Sequence, residues 1–203
     1  MSGFSKFSYF NLGNEGGARG FVSRVCLRKA HGANFTDERI EFGAWPALKP
    51  STPLGQLPTL EIDGEVFSQS IPISQYAATI AGLYPTDPIL ALRSNVVVAT
   101  VDEAWNKLGS TPKDEKARIA YAEEAAPKFL AFFAKSLGSD KFFGGASEPQ
   151  WVDLWVYSYV HFATSGFFDF VPKDFVLRHA PTIQAHHDAV AASQLYKDFG
   201  TPE

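Results

Sequence analysis

Apolar periodicity changes once along this chain of 203 residues, and that change sets its organisation. Strand and helix signals alternate up to residue 83, and beyond Tyr84-Pro85-Thr86-Asp87-Pro88 the strand signal stops. FSKFSYFN (4–11) reads as an aromatic-rich strand, broken by Asn14-Glu15-Gly16-Gly17. ARGFVSRVCLRKA (18–30) sets Phe21, Val22, Val25 and Cys26 at helical spacing and turns Arg24, Arg28 and Lys29 outward. FTDERIEF (35–42) is a second strand, and the Pro- and Gly-rich WPALKPSTPLGQLP (45–58) predicts an irregular loop. TLEID (59–63) and EVFSQ (65–69) flank Asp63-Gly64, a hairpin signal. PISQYAATIAG (72–82) then reads as a helix that accommodates Pro72 in its first turn. Two strands joined by a helix favour a parallel crossover, and the hairpin adds antiparallel strands, so the first unit is a mixed α/β fold on four strands.

The predicted division is 1–83 for that unit, 84–88 for a linker and 89–203 for an all-α helical bundle. Residues 89–109, 114–138 and 152–166 carry apolar residues at helical spacing, and a last helical stretch covers roughly 174–199. The β-branched run Val96-Val97-Val98 yields to the helical pattern around it.

Charge and composition narrow the function classes. A formal net charge of −4 gives no basic footprint, so nucleic acid is not an expected partner. No apolar run approaches a membrane span, and MSGFSKFSYF has no secretory pattern, so a cytoplasmic setting is expected. The single cysteine, Cys26, excludes an internal disulfide, and His31, His161, His179, His186 and His187 show no metal-ligand spacing, so no metal is expected. Cys26 on the apolar face of its helix reads as a buried structural thiol. Phe129, Phe132, Phe133, Trp155 and Tyr159 read as core.

The chemistry concentrates in GQLPTLEIDGEVFSQS (55–70). A cis bond before Pro58 turns the preceding backbone outward, freeing Leu57 N–H and C=O to pair with an extended peptide. Ser70, where the hairpin meets the next helix, offers a helix N-terminus to a carboxylate, with the Gln69 amide beside it. The competing readings are a trans proline opening a strand and an ordinary serine N-cap.

SYFN (8–11), WPALKPSTPLGQLPTLEIDG (45–64) and SQSIPISQYAA (68–78) together resemble the glutathione S-transferase family, most closely its sigma class, which includes glutathione-dependent prostaglandin D synthases. The resemblance covers the first unit well and the helical half mainly through length and pattern. It implies a thioredoxin-like domain followed by an all-α domain, a homodimer, and glutathione as co-substrate with no prosthetic group. Tyr9 matches the family's catalytic tyrosine. A phenol that donates a hydrogen bond to sulfur stabilises the thiolate, the reactive form of a thiol whose pKa is otherwise about 8.5. Trp45 and Lys49 match residues that contact the glycyl end of glutathione. Gln56, the Leu57 backbone and Pro58 match the next contacts, and Gln69 and Ser70 those that hold the γ-glutamyl group. Asp102, ahead of Glu103, matches the acidic position that reaches glutathione in the neighbouring subunit. Phe10, Leu12, Gly13, Asn14 and Trp105 are the expected lining of the hydrophobic-substrate pocket.

Two departures accompany the resemblance. Gln150 stands where the segment capped by Asp153 usually has Ser or Thr. After the tyrosine, an arginine-rich turn is replaced by residues 13–19, so the polarising arginine becomes Glu15 in register or is displaced to Arg19. A carboxylate near the sulfur raises a thiol pKa. The resemblance implies conjugation of the glutathione thiolate to a hydrophobic electrophile. Its alternatives are isomerisation of a prostaglandin-like endoperoxide and a non-catalytic, crystallin-like role.

Overall fold

The computed structural model describes residues 5–12, 18–32 and 34–200. It divides into two compact units, one running to Tyr84 and including the segment from Asp198, the other from Pro85 to Lys197.

The first unit holds strand β1 (Ser5–Phe10), helix α1 (Ala18–His31), strand β2 (Thr36–Ile40), a single helical turn α2 (Trp45–Leu48), strands β3 (Thr59–Ile62) and β4 (Glu65–Ser68), and helix α3 (Ser70–Ile80). The sheet order is β2-β1-β3-β4, with β1 and β2 parallel and the β1–β3 and β3–β4 pairs antiparallel. The α1 crossover makes the parallel pair possible, because parallel strands need a long connection. The Asp63-Gly64 hairpin forms as expected, with φ of 51° and 85° at its two turn residues. Phe7 and Leu60 are buried in the sheet, and Val22, Val25 and Cys26 of α1 meet Ile73, Ala77 and Ala78 of α3 in the same core.

Three local expectations need correction. The 45–58 segment is not wholly irregular: α2 is followed by a 3-10 turn over Lys49–Ser51, and Pro46 and Pro50 supply the preset φ that suits the opening of each turn. Helix α3 begins at Ser70, two residues early, so the N-cap is Gln69 rather than Ser70. Arg24 does not face outward: it is 5% exposed, because the carboxylate of Asp37 on β2 lies 2.8 Å from its Nε and makes burial of the guanidinium tolerable. The C-terminal segment closes on the same unit, where Arg28 Nη1 donates to the Phe199 carbonyl (3.0 Å) and the Lys29 ammonium lies 6.0 Å from the Phe199 ring centre.

The second unit is helical throughout its regular structure. Helix α4 (Pro88–Ser110) opens with Pro88 at its first position and Asp87 as N-cap, accepting from the amides of Ile89 (3.0 Å) and Leu90 (2.8 Å). Val96–Val98 lie within it, as the surrounding pattern requires. Helix α5 (Glu115–Ala120) runs through a π-helical turn, Tyr121–Ala125, into α6 (Ala126–Leu137). Helix α7 (Trp151–Thr164) packs against α4 and α9 and is buried along its first ten residues. The last stretch is three helices rather than one, α8 (Phe175–His179), α9 (Pro181–Ala191) and α10 (Gln194–Phe199), whose last two residues belong to the first unit; Pro181 lacks an N–H and keeps Ala180 out of helical geometry (φ −151°, ψ 73°), which separates α8 from α9.

Asp153 accounts for the α7 N-terminus. Its buried carboxylate accepts from the Gln150 amide (2.8 Å), the Phe143 amide (2.9 Å) and His186 Nε2 of α9 (2.8 Å). The other ring nitrogen of His186 is buried without a hydrogen-bond partner. Phe133, Trp155 and Tyr159 are core as expected, whereas Phe129 and Phe132 are only half-buried.

Candidate functional site

Sheet register brings the sequence candidates of the first unit together. Ser8 lies opposite Thr59, and Thr59 opposite Ser68. One residue further along each strand, Tyr9, Pro58 and Gln69 therefore stand side by side at one end of the sheet. Strands β1, β2 and β4 all finish at this end, and α3 begins there, so its unpaired first-turn amides point the same way.

Tyr9 is the group there with the most perturbed chemistry. It is 6% exposed, and burial raises its pKa. The charges of Arg19 and then Arg24 oppose that rise, and the Arg19 backbone N–H donates a hydrogen bond to the phenol oxygen. An amide on the oxygen favours the phenolate and leaves the phenol proton to be donated elsewhere. Of the two residues considered for the missing arginine, Arg19 acts on Tyr9, while Glu15 lies outside the described residues.

Gly20, in the first turn of α1, sets where that ring sits. A Cβ there would stand 2.3 Å from Tyr9 Cδ1 and 2.7 Å from Cγ. Real carbon contacts lie at about 3.5 to 4.0 Å, so no other residue fits without moving the tyrosine. Glycine directly at the opening of a helix behind an aromatic strand was the available signal.

At the neighbouring strand end the Leu57–Pro58 bond is cis. Pro58 is buried and Leu57 half-buried, while Gln56 is exposed. Gln69 is exposed with φ 79° and ψ 119°, a conformation that costs a non-glycine residue about 1 to 3 kcal/mol. Its side chain makes no cap hydrogen bond. Ser70 is buried at the first helical position, and Pro72 removes one amide donor from the first turn. An exposed side-chain amide carried on a strained backbone, beside the opening amides of α3, is an arrangement fit to receive a carboxylate and an amine.

Phe10 lies on the other face of β1 from Tyr9. Its ring stacks on Phe42 (centroids 5.0 Å) and meets Trp45 edge-on (5.5 Å). Phe42 was not anticipated, although it is 54% exposed beside two candidate residues. Trp45 and Leu12 are half-buried, and Lys49 is exposed, its stem folded over Gly55. Gly13 and Asn14 fall outside the described residues. The second unit holds the remaining candidates on α4. Asp102 is half-buried and accepts from Asn106 Nδ2 (3.0 Å), and Glu103 is exposed. Trp105 is 5% exposed against Phe162 (5.2 Å) and Tyr159 (5.8 Å), its indole N–H buried without a partner.

Residues 6–79 match the family model for the glutathione S-transferase N-terminal domain, and residues 101–199 that for a glutathione S-transferase C-terminal domain. The chain is 32% identical over 155 residues to a hematopoietic prostaglandin D synthase of Gallus gallus, covering 74% of each chain. It is 42% identical over 162 residues to glutathione S-transferase 1 of Ascaris suum, covering 73% of this chain and 75% of that one. Among solved structures it is similar to prostaglandin synthase D of Nilaparvata lugens, with a TM-score of 0.78 and 26% identity over 96% of this chain and 95% of that one.

Proposed function

The chain belongs to the glutathione S-transferase family, and on that footing we propose that it joins the thiolate of glutathione to a hydrophobic electrophile, with Tyr9 as the catalytic residue. The alignment of Tyr9, Pro58 and Gln69 at one end of the sheet carries this reading. The phenol donates to the sulfur, the Leu57 backbone pairs with the cysteinyl peptide, and Gln69 with the α3 N-terminus receives the γ-glutamyl group. Trp45 and Lys49 hold the glycyl end, and Gln56 makes the next contact beside Leu57. Glutathione enters as co-substrate, with no prosthetic group. Phe10 and Leu12 offer the electrophile apolar contact in the first unit, and Trp105 remains the candidate for it in the second.

The finer assignments are a sigma-class, cytoplasmic homodimer with its boundary at 84–88, in which Asp102 reaches glutathione in the partner subunit. Exposed apolar side chains support the dimer: Val66, Phe67, Tyr76 and Ile80 on β4 and α3, and Ile89, Leu92 and Val96 on α4. Among the described residues no helix is long and apolar enough to cross a membrane.

The deciding experiment is conjugation of glutathione to a chlorinated nitrobenzene by the parent and by Tyr9→Phe. The variant should lose most of kcat, keep its glutathione affinity, and show a pH–rate profile displaced to higher pH. An unchanged rate and profile would mean that another group activates the sulfur. A second reading, isomerisation of a prostaglandin-like endoperoxide with glutathione recycled, draws support from the relative named as a prostaglandin D synthase. Product analysis with such an endoperoxide separates the two, and inactivity in both assays leaves the non-catalytic role.

A further inference from the structure

Asp37 gathers three arginines. Arg28 Nη2 lies 3.3 Å and Arg39 Nη2 3.2 Å from one carboxylate oxygen, and Arg24 Nε lies 2.8 Å from the other. Arg28 and Arg39 keep part of their side chains in solvent, whereas the Arg24 side chain is 6% exposed. One cation suffices to neutralise Asp37, and desolvating a further guanidinium is costly. Arg24 is the one that bears this cost.

The environment of Arg24 shows what its charge faces. Its guanidinium carbon stands 5.7 Å from the ring centres of both Phe7 and Tyr9, which share a face of β1. That is within cation–π range, and the rings replace water as its solvation. Its Nη2 is buried with no hydrogen-bond partner. A purely structural ion pair would direct that donor to an acceptor; here the charge is held behind the tyrosine. The charged groups around it are Asp37 and Arg39 on β2 and Arg19 and Arg28 on α1. Helix α3, which packs on α1, carries no charged residue.

We propose that Arg24, clamped by Asp37 behind the ring of Tyr9, is a positioning residue that strengthens the Tyr9 phenol as a hydrogen-bond donor to the substrate sulfur. A fixed positive charge on the ring side favours charge building on the phenol oxygen, so the O–H bond polarises and the hydrogen bond to a thiolate tightens. Arg19 acts on the phenol through its charge and its amide, and Arg24 through the charge held behind the ring. Removing Arg24 leaves Asp37 paired with Arg28 and Arg39, so no carboxylate is orphaned.

The inference rests on the assignment of Tyr9 above, and its test separates the two. The thiolate absorbance of bound glutathione is titrated in the parent, Arg24→Met, Arg24→Lys, Arg28→Met, Tyr9→Phe and the Tyr9→Phe/Arg24→Met pair, with unfolding curves for each. Arg24→Met should move the thiolate midpoint up by about half a pH unit or more, roughly a threefold loss of thiolate below the midpoint. Arg24→Lys should fall between, because an ammonium keeps the charge but cannot lie flat on a ring. Arg28→Met, which also loosens the Asp37 cluster, should leave the midpoint unchanged, and Arg24→Met should add nothing once Tyr9 is Phe. If Tyr9→Phe shifts the midpoint and Arg24→Met does not, Arg24 is structural and the inference fails. If Tyr9→Phe itself shifts nothing, the assignment of Tyr9 fails instead. Should Arg24→Met not fold, a parental midpoint in Arg24→Lys overturns the proposal.

Discussion

Gly20→Ala runs against what helix propensity alone predicts. In an exposed helix interior, replacing glycine by alanine gains about 1 kcal/mol, chiefly by restricting the unfolded chain. At position 20 the added Cβ would stand 2.3, 2.7 and 2.9 Å from three carbons of the Tyr9 ring. Relief to ordinary contact needs a ring displacement of more than about 1 Å. The ring has little room, with Arg24 on one side and Phe10 edge-on at 5.6 Å. Overpacking of this kind costs about 1 to 3 kcal/mol. The propensity gain offsets part of it, so urea unfolding should show a net loss of up to about 2 kcal/mol. Activity is the sharper readout. A phenol displaced by about 1 Å from the sulfur costs on the order of 100-fold in rate, so kcat with a chlorinated nitrobenzene should fall far more than stability does. A variant that gains about 1 kcal/mol and keeps full turnover would refute the packing of Tyr9 against α1.

Asp153→Ala should destabilise the protein by about 3 to 5 kcal/mol in urea unfolding, since the Gln150 and Phe143 amides and His186 would all lose one buried acceptor; a cost below 1 kcal/mol would show that water replaces the carboxylate. Cys26 is fully buried and burial pushes its thiol pKa up, so iodoacetamide should leave it unmodified in the native state and label it in denaturant. Rapid native labelling would place it at the surface. Glu123, bound by Arg178 and His179, has its pKa lowered to about 2 from a usual 4.5. A lowered folded-state value means that its contribution is complete above the usual value and disappears as pH falls toward about 2. The Tm difference between the parent and Glu123→Gln should therefore shrink across that window, and a difference independent of pH would exclude the ion tie.

Local signals survived where the local sequence alone decides the conformation. Asp63-Gly64 makes the hairpin because its two residues adopt positive φ cheaply, and Asp87-Pro88 caps and opens a helix by its own chemistry. Arg24 was misread because helical spacing shows which face a residue takes, while Asp37 lies on another strand and decides whether a charge can be buried there. The π-helical turn at Tyr121 was equally invisible. It places the Tyr121 hydroxyl 2.6 Å from that of Tyr159, a partner 38 residues away. In the site, Tyr9, Pro58, Gln69 and Ser70 were legible as residues through the family resemblance. Their alignment was not, because it follows from strand register, and the strained φ of Gln69 has no counterpart in the letter Gln. Gly20 and Arg24 act through Tyr9 and carry no motif of their own.

The return of the chain end to its first unit bears on the order in which the protein is made. Residues up to 84 leave the ribosome long before Phe199, so the nascent first unit has its hairpin and both helices but no carbonyl for Arg28 Nη1 and no ring beneath Lys29. That patch of α1 stays open while more than a hundred further residues are added, at about 5 to 20 residues per second. A unit whose own strands and helices are made early is thus among the last to be finished, because its Phe199 contacts wait for those seconds.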